Sequence, residues 1–254
     1  MEFAAGETLF LEDEGGKRYW FRLEFAMIKL GGLGAIDGTK FQGLDDGDSV
    51  SIAGRKFTVF RPTTVDLMAS LDRGAQIITP KDACAIILEC GIRAGTKVIE
   101  VGAGSGGLTT ALTSAVAPSG HVHTIELKEQ NAERVLKNLK RTGLDAYWSY
   151  QIGDARDIGI DCGTVDVITT DMPDPENALD NLSSHLRNGG TICTYVPNAN
   201  QLELSVNALR ERNFTDIRSM EILRRGMEVH QGGVRPSFEM LGHTGYLTFA
   251  RKRA

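Results

Sequence analysis

A glycine-rich stretch of the chain, V-I-E-V-G-A-G-S-G-G-L, could bring backbone close to a ligand, because glycine adopts conformations that other residues avoid. Gly102, Gly104 and Gly107 match G-x-G-x-x-G, which is typical of dinucleotide binding and would indicate hydride transfer with NAD. Gly102, Gly104 and Gly106 equally match G-x-G-x-G, preceded two residues earlier by Glu100. This second pattern suits S-adenosylmethionine (SAM) and methyl transfer. The loop alone fits both cofactors.

Acidic residues after the next three predicted strands decide in favour of SAM. Glu126 ends H-T-I-E, where a carboxylate suits a ribose diol and still fits both cofactors. Asp154 and Ala155 follow the third strand, where a carboxylate could accept a hydrogen bond from an adenine amino group. Asp171 ends the fourth strand, in T-T-D-M-P-D-P. Polar residues that end successive strands at one sheet edge form an adenosyl-binding layout, and little chain remains for a separate dehydrogenase domain.

A structural role is the alternative for each acidic residue taken alone. Glu100 could anchor the glycine loop, and Asp154 could form a turn within G-D-A-R-D. The occurrence of all these residues in this order favours the cofactor site.

Strands and helices must position these residues, and the sequence predicts that they alternate from Pro80 onwards. This alternation predicts an α/β fold with a doubly wound, mostly parallel sheet of the SAM-dependent methyltransferase (Rossmann-like) type. The predicted strands are Lys97–Val101, His121–Glu126, Ala146–Ile152, Val165–Thr170, Gly190–Val196, Phe214–Leu223 and Thr244–Arg251. The predicted helices are Pro80–Cys90, Gly106–Val116, Lys128–Arg141, Pro175–Leu186 and Asn200–Arg212.

The first sixty residues predict a small β-barrel-like module instead. Its predicted strands are Thr8–Glu12, Lys17–Glu24, Ser49–Ile52 and Lys56–Arg61. The glycine-rich segment Gly31–Gly47 is predicted to be a loop, and Thr63–Leu71 a connecting helix. We therefore expect a small β-domain over 1–62, a linker helix and cofactor-entry loop over 63–80, and a class I SAM methyltransferase domain over 81–254.

The composition is that of an ordinary soluble protein, with 41% hydrophobic and 24% charged residues among 254. No stretch approaches the roughly 18 consecutive apolar residues of a membrane helix, and the first residues lack the basic start of a signal peptide. The four cysteines form no C-x-x-C pair, and the five histidines have no metal-ligand spacing. We expect a cytoplasmic protein with no membrane segment, disulfide framework or metal.

The net charge of −5 argues against a nucleic-acid partner, but the charge is unevenly distributed. Residues 201–254 carry nine basic and six acidic side chains, a net charge of +3. The basic residues include Arg224, Arg225, Arg235 and the run 251–253. This tail is either a solvated charged surface or a patch that faces phosphates.

Three further stretches carry a resemblance to a known family. They are R-G-A-Q-I-I-T-P-K-D before the first strand of the sheet, D-M-P-D-P-E after the fourth, and the terminal segment containing R-P-S-F-E-M-L-G-H-T-G-Y. Together with the N-terminal β-module, they resemble the tRNA (adenine-N1)-methyltransferases that modify the T-loop, particularly the archaeal and bacterial single-subunit type. The resemblance covers essentially the whole chain, and Q-x-x-x-P-K-D and H-T-G-Y are more specific than the glycine loop.

This resemblance implies a homotetramer that methylates N1 of adenosine 58 in tRNA, and also adenosine 57 in some archaeal members, with SAM as methyl donor. It places Gln76 near the methionine end of SAM, Glu126 on the ribose, and Asp171 on the target base as the catalytic residue, in contact with the cofactor site. It places Asp154 and Ala155 on the adenine. The remaining cofactor residues it implies are Gly102, Ala103 and Gly104, with Ser105, Gly106, Gly107 and Leu108 around the carboxylate of SAM.

The chain departs from the family at one position. The residue before Pro80 is often aromatic in this family, whereas here it is Thr79. A stacking contact on the target base is therefore either missing or supplied by Tyr195 instead.

Two other functions compete with this interpretation. The first is a SAM methyltransferase of another substrate class, such as protein-repair or corrinoid methyltransferases, but neither accounts for the N-terminal β-module together with H-T-G-Y. The second is a non-catalytic tRNA-binding subunit. Such subunits typically lose the cofactor motif, whereas G-A-G-S-G and Asp171 are intact here.

Overall fold

The computed structural model of the chain describes residues 1–72, 74 and 77–254. The strands in this part of the chain are β1 (Thr8–Asp13), β2 (Arg18–Arg22), β3 (Met27–Leu30), β4 (Gly34–Asp37), β5 (Ser49–Ile52), β6 (Arg55–Phe60), β7 (Lys97–Val101), β8 (His121–Glu126), β9 (Trp148–Ile152), β10 (Val165–Asp171), β11 (Leu186–Val196), β12 (Phe214–Met220), β13 (Met227–His230), β14 (Gly233–Pro236) and β15 (Tyr246–Lys252). The α-helices are α1 (Thr64–Ala69), α2 (Pro80–Glu89), α3 (Gly107–Val116), α4 (Glu129–Thr142), α5 (Leu179–His185) and α6 (Ala199–Glu211). No helix among the described residues is long and apolar enough to cross a membrane.

The first of two compact units comprises Met1–Asp72 and Leu136–Ala146. Four strands form an antiparallel sheet in the order β2-β1-β6-β5, and β3 and β4 form a separate hairpin. Alternate residues of β2 and β5 are buried, as expected for a sheet with one solvated face. The apolar core of the unit contains fully buried Leu9, Leu11 and Phe57.

The prediction of a loop over Gly31–Gly47 is wrong in part. Strand β4 and a 3₁₀ helix, Gly38–Phe41, lie inside this segment. Three of the glycines that indicated a loop, Gly31, Gly32 and Gly34, lie in and beside the tight turn of the β3–β4 hairpin. The side chain of Asp37 starts the 3₁₀ helix by accepting a hydrogen bond from the backbone of Thr39.

The start of the connecting helix was predicted correctly. Helix α1 begins after Thr63, whose hydroxyl accepts a hydrogen bond from the backbone N–H of Asp66. The side chain of Asp66 in turn accepts a bond from the backbone N–H of Thr63, at 2.9 Å. This reciprocal capping box satisfies two N–H groups that the first helical turn leaves without partners.

The second compact unit, Arg73–Val135 with Tyr147–Ala254, contains a seven-stranded sheet. Its strand order is β12-β15-β11-β10-β7-β8-β9. The five strands from β11 to β9 pair in parallel, whereas β15 is antiparallel to both of its neighbours. The inner strands β7 and β8 are buried along almost their whole length, as parallel strands covered on both faces must be. The predicted fold class, a doubly wound and mostly parallel sheet with an N-terminal β-domain, is confirmed.

Two details of this unit differ from the sequence prediction. The predicted helix Pro175–Leu186 is a 3₁₀ turn, Pro175–Asn177, followed by the shorter helix α5. Strands β13 and β14 form an exposed hairpin that the prediction did not contain.

The parallel strands position the site because their carboxyl ends meet at one edge of the sheet. Strands β7, β8, β9 and β10 end there at Val101, Glu126, Ile152 and Asp171. The glycine loop lies between the end of β7 and the start of α3.

Candidate active site

A cleft of about 640 Å³ opens at this carboxyl edge. Its volume is within the range of small-molecule sites, roughly 300–1,000 Å³. The lining residues are Val101, Gly102, Gly104, Ile125, Glu126, Leu127, Lys128, Asn131, Gly153, Asp154, Ala155, Arg156, Asp171, Met172, Pro173 and Asp174. Six of the residues predicted from the sequence are therefore together in one cleft: Gly102, Gly104, Glu126, Asp154, Ala155 and Asp171.

Glycine is required at positions 102 and 104 of the loop for different structural reasons. Gly102 has a φ of +84°, and a Cβ there would collide with the backbone oxygen of Asp171. Gly104 has a φ of +54°, but a Cβ there would meet no protein atom within 4 Å. Gly102 is thus required for close packing of two loops. Gly104 leaves open a part of the cleft that any side chain would fill.

Glu126 is buried and holds the glycine loop in place. Its Oε2 accepts hydrogen bonds from the backbone N–H groups of Ala103 (2.9 Å) and Gly104 (3.3 Å). Its Oε1 accepts from the backbone N–H of Lys128 (2.9 Å) and from Nδ2 of Asn131 (3.2 Å), at the start of α4. A carboxylate offers about four lone-pair sites. A ribose hydroxyl that donated to Glu126 would therefore compete with the long bond from Gly104.

Glu100 has a structural role that differs from the predicted one: it joins β7 to α3 and β8, and among the described residues it does not bond to the glycine loop. It is 1% exposed and accepts hydrogen bonds from the hydroxyls of Thr109 (2.8 Å) on α3 and Thr124 (2.7 Å) on β8. Burial is the main cause that raises the pKa of Glu100 to about 7; the negative charges of Asp171 and Glu126 act in the same direction, and the two hydroxyls oppose it.

Asp154 is held in a turn and paired with an arginine. Its Oδ1 accepts a hydrogen bond from the backbone N–H of Arg156 at 3.0 Å, and its Oδ2 accepts from Nη2 of Arg156 at 2.6 Å. The bonds from Arg156 lower the pKa of Asp154 to about 2. The same guanidinium donates to Asp174 at 2.9 Å. Arg156 thus bridges two carboxylates of the cleft lining, and it is a site residue that the sequence analysis missed although it stands in G-D-A-R-D.

Asp171 faces the cleft, and its carboxylate has no hydrogen-bond donor among residues 1–72, 74 and 77–254. The residue is exposed to the cleft, but the cleft walls partly desolvate its carboxylate, and this desolvation is the main cause that raises the pKa of Asp171 to about 6. The negative charge of Glu126 acts in the same direction. A carboxylate without a partner in an open cleft is available to bind a donor group of a ligand.

Five of the other predicted cofactor residues do not line the cleft. Ala103, Ser105, Gly106, Gly107 and Leu108 are buried in the loop and the start of α3. Gln76 lies outside the described residues. The contacts of these six residues with SAM remain predictions.

Tyr195 lies beside Asp171 at the end of the neighbouring strand, because the two residues are register partners of β11 and β10. Its hydroxyl donates a hydrogen bond to the backbone oxygen of Thr244 at 2.6 Å. Thr79 instead directs its hydroxyl to Asp82, at 2.8 Å. The prediction that Tyr195 substitutes for an aromatic residue at position 79 thus has a candidate side chain beside the cleft.

A parallel sheet with a glycine loop after β7 and acidic side chains at the ends of β8 and β10 defines a methyltransferase of the Rossmann-like class. A model of a protein family, described as "tRNA methyltransferase complex GCD14 subunit", matches residues 57–234. The chain belongs to this family, and the family predicted from the sequence motifs is thereby confirmed.

Individual relatives agree with this assignment. The chain is 36% identical to the tRNA (adenine(57)-N(1)/adenine(58)-N(1))-methyltransferase TrmI of Methanocaldococcus jannaschii, over 95% of this chain and 93% of that protein. The crystal structure of the tRNA (m1A58) methyltransferase TrmI from Aquifex aeolicus has a TM-score of 0.76 and 27% identity, with all of both chains covered. A Thermotoga maritima structure described as a SAM-dependent O-methyltransferase has a TM-score of 0.81 and 29% identity, over 99% of this chain and 95% of that one.

Proposed function

We propose that this protein is a tRNA (adenine-N1)-methyltransferase that transfers the methyl group of SAM to N1 of adenosine 58 in the T-loop. The observation that carries the proposal is the 36% identity to an archaeal enzyme named for this reaction, over nearly the whole of both chains. An intact cleft with a free carboxylate, Asp171, supports a catalytic protein over a tRNA-binding subunit without activity.

Adenosine 57 is a second candidate position. The archaeal relative is named for both positions, whereas the bacterial relative from Thermus thermophilus, 28% identical, is named for position 58 alone. The higher identity and coverage of the archaeal relative favour a protein that modifies both.

The residues of the cleft fit SAM. Gly104 leaves a cradle that a side chain would fill, and Glu126 and Asp171 supply negative charge where a sulfonium would bind. Asp154 and Ala155 would take the adenine, and Glu126 the ribose. Gln76 and the loop from Ser105 to Leu108 would hold the methionine end. When bound, SAM supplies an electrophilic methyl group.

Asp171 has the catalytic role in this proposal. N1 of adenine carries no proton at neutral pH, so its lone pair can attack without a strong general base. Attack leaves positive charge on N1, C6 and N6. The Asp171 carboxylate would accept a hydrogen bond from N6, which orients the base and stabilises that charge. The base must leave the folded T-loop to reach the cleft, at a cost of a few kcal/mol.

The assembly and the chain division belong to the same proposal. We propose a cytoplasmic homotetramer, by resemblance to the family, and light scattering on the purified protein would measure the number of subunits. We also propose the domains 1–62, 63–80 and 81–254. The last strand of the N-terminal sheet ends at Phe60, which supports the first boundary.

Nucleoside mass spectrometry on an unmodified tRNA transcript, incubated with protein and SAM, tests the activity. We expect 1-methyladenosine at position 58, and loss of that product when position 58 is changed to guanosine. A transcript changed at position 57 separates one target from two. Absence of 1-methyladenosine, or methylation of a ribose oxygen instead, would refute the proposal and favour another substrate class.

A further inference from the structure

The segments P-K-D and H-T-G-Y, far apart in the sequence, meet at a buried ion pair. The side-chain nitrogen of Lys81 lies 2.7 Å from Oδ1 of Asp82 and donates to the hydroxyl of Thr244 at 2.6 Å. Oδ2 of Asp82 accepts hydrogen bonds from the hydroxyls of Thr244 (2.9 Å) and Thr79 (2.8 Å). Asp82 is fully buried, and the side chain of Lys81 is only 10% exposed.

This cluster, Thr79, Lys81, Asp82 and Thr244, fixes the side chain of Tyr195 through the backbone of Thr244. The hydroxyl of Tyr195 donates to the Thr244 carbonyl. The next residue, Gly245, lies against the ring, where a Cβ would overlap the ring atoms. The hydrogen bond of the hydroxyl and the contact of the ring with the backbone of Gly245 together fix the orientation of the Tyr195 side chain.

The position of Tyr195 matters because of its neighbour. Asp171 and Tyr195 are register partners at the carboxyl ends of β10 and β11. Register partners on adjacent strands project toward the same face of a sheet. The ion-pair cluster therefore controls the side chain next to the carboxylate that faces the cleft.

We propose that Lys81, Asp82 and Thr244 are positioning residues, which hold Tyr195 as a wall of the pocket for the target adenine beside Asp171. This inference rests on the proposed function, and it assigns to P-K-D and H-T-G-Y a joint role in base orientation. A buried ion pair contributes little net stability, because desolvation opposes the attraction of the charges. The ion pair does fix the arrangement of the groups around it. Methyl transfer requires a fixed arrangement, because the attacking nitrogen must lie on the S–CH₃ axis.

Thr244→Val removes the hydroxyl that joins Lys81 to Asp82 and keeps the size of the side chain. We expect single-turnover methylation at saturating tRNA to slow by about tenfold to a hundredfold, the scale of a reactant displaced by about 1 Å. The dissociation constant of SAM, measured by calorimetry, should change by less than about threefold, because Thr244 does not line the cofactor cleft. Thr244→Ser restores the hydroxyl and should restore most of the rate.

Thr248→Val is the matched control. Thr248 is also a buried threonine near the end of the chain, and its hydroxyl bonds at 2.9 Å to that of Ser219 on β12 instead of to the cluster. Its loss should lower the melting temperature without slowing turnover per folded molecule. Equal rates for folded Thr244→Val and wild type would overturn the positioning role.

Tyr195→Phe provides a second test that disturbs the fold less, since it removes only the phenol hydroxyl. We expect a similar decrease in rate, and little further loss when Thr244→Val is added to it. Fully additive losses would mean that the cluster does not act through Tyr195, and would overturn the proposal. A wild-type protein that forms no 1-methyladenosine would refute the proposed function itself, an outcome distinct from an active wild type with an unaffected Thr244→Val variant.

Discussion

Glu126 and Asp171 are two carboxylates in the same cleft, but they differ in their hydrogen-bond partners within the protein. Glu126 accepts four hydrogen bonds from uncharged protein groups, so the lone pairs of its oxygens are already used to hold the loop. Asp171 accepts none among the described residues. Two proline residues, at 173 and 175, restrict the backbone of the loop that follows Asp171. A ligand would thus find Asp171 both unoccupied and restrained.

Asp171→Asn should slow single-turnover methylation at saturating tRNA by about 10²–10³, the usual loss for one preorganised electrostatic contact. The substitution keeps the size and one acceptor oxygen but removes the charge. SAM affinity should change much less than the rate, because Glu126 and Asp154 are proposed to supply most of the adenosyl contacts.

Asp166→Asn is the control for this variant, because Asp166 lies on the same strand at the opposite edge of the sheet. It accepts a hydrogen bond from the backbone of Lys97 and pairs with Arg187, so the control should lose stability without losing turnover. A folded Asp171→Asn enzyme within a few-fold of the wild-type rate would exclude the catalytic role.

Glu100 predicts an unusual dependence of stability on pH. Its pKa is about 7 in the folded protein, against 4.5 for an ordinary glutamate. Below pH 4.5 both folded and unfolded states bind the proton, whereas above pH 7 only the folded state bears the cost of a buried charge. The free energy of unfolding of the wild type, relative to Glu100→Gln, should therefore decrease by on the order of 3 kcal/mol from pH 4.5 to above pH 7.

Denaturant titrations of both proteins at pH 5 and pH 8 measure this difference. Glu129→Gln, at an exposed position in the first turn of α4, should show no such change with pH. A wild-type protein that gains stability over Glu100→Gln as the pH rises would show that the carboxylate is stabilised in its charged form.

The sequence could predict which side chains meet in the cleft, but not how they are bonded. Glu126, Asp154 and Asp171 each end or follow a strand of one parallel sheet, and strand ends converge by geometry alone. The bridge from Arg156 to Asp154 and Asp174 depends on loop conformation, which residue types do not specify. For the same reason, the four bonds that occupy Glu126 were not foreseen.

At the scale of secondary structure, the glycine loop is the element that makes a ligand site possible. Gly102 allows the loop to approach the backbone of Asp171, and Gly104 leaves the cleft open. Glu126 fixes the loop from the next strand. The loop is thus built before any ligand binds, and this lowers the entropic cost of binding.

Gly104→Val should abolish SAM binding in calorimetry, because its side chain would fill part of the cleft. A β-branched residue is also strained at a φ of +54°. Gly91→Val separates the two effects, since Gly91 has a φ of +67° and open space around it but does not line the cleft. Both variants should lose stability, and only Gly104→Val should lose SAM affinity. Wild-type binding of NAD and not SAM would contradict the cofactor assignment.

Strands and helices that carry a hydrophobic pattern were predictable, and the two short hairpins were not. Strands β7, β8 and β10 are rich in Val, Ile and Thr and are bounded by turn residues. Hairpin β3–β4 lies among glycines that resemble a loop, and β13–β14 is exposed on both faces and has no burial pattern to detect. Strand β11 was predicted to begin at Gly190, but pairing with β10 extends it back to Leu186.

At the scale of the whole molecule, the basic side chains of residues 201–254 fall into two groups. Some bond to other groups of the protein, and others have no partner among the described residues. The side-chain nitrogen of Lys252 caps two carbonyls at the end of α5, and Arg235 is paired with Glu228. The guanidinium groups of Arg224 and Arg251 have no hydrogen bond or ion pair within the described part of the chain. Arg224 and Arg251 thus keep both their charge and all their N–H donors available for an external phosphate.

The two unpaired arginines lie toward opposite edges of the sheet. Arg251 pairs with Thr191 of β11, which lies opposite Val167 near the amino end of β10. Arg224 follows β12, which ends at Met220 opposite Leu247, the partner of Tyr195 at the carboxyl end of β11. Arg224 therefore follows a strand that ends at the cleft edge, where a tRNA with its base in the cleft must lie.

This arrangement predicts that tRNA affinity decreases steeply with salt although the protein has a pI of about 5.6. Several phosphate contacts should cost orders of magnitude in affinity between about 50 and 200 mM salt, because bound counterions are released on association. Arg224→Gln should reduce the slope of log affinity against log salt by about one for each phosphate that the arginine would otherwise neutralise.

Arg251→Gln, the same substitution at an unpaired arginine of the opposite edge, should leave the slope unchanged. Filter binding of one tRNA transcript over a salt series measures all three slopes. An affinity insensitive to salt would mean that the tail is only a solvated surface, and equal slopes for the two variants would place the phosphate-binding residues elsewhere.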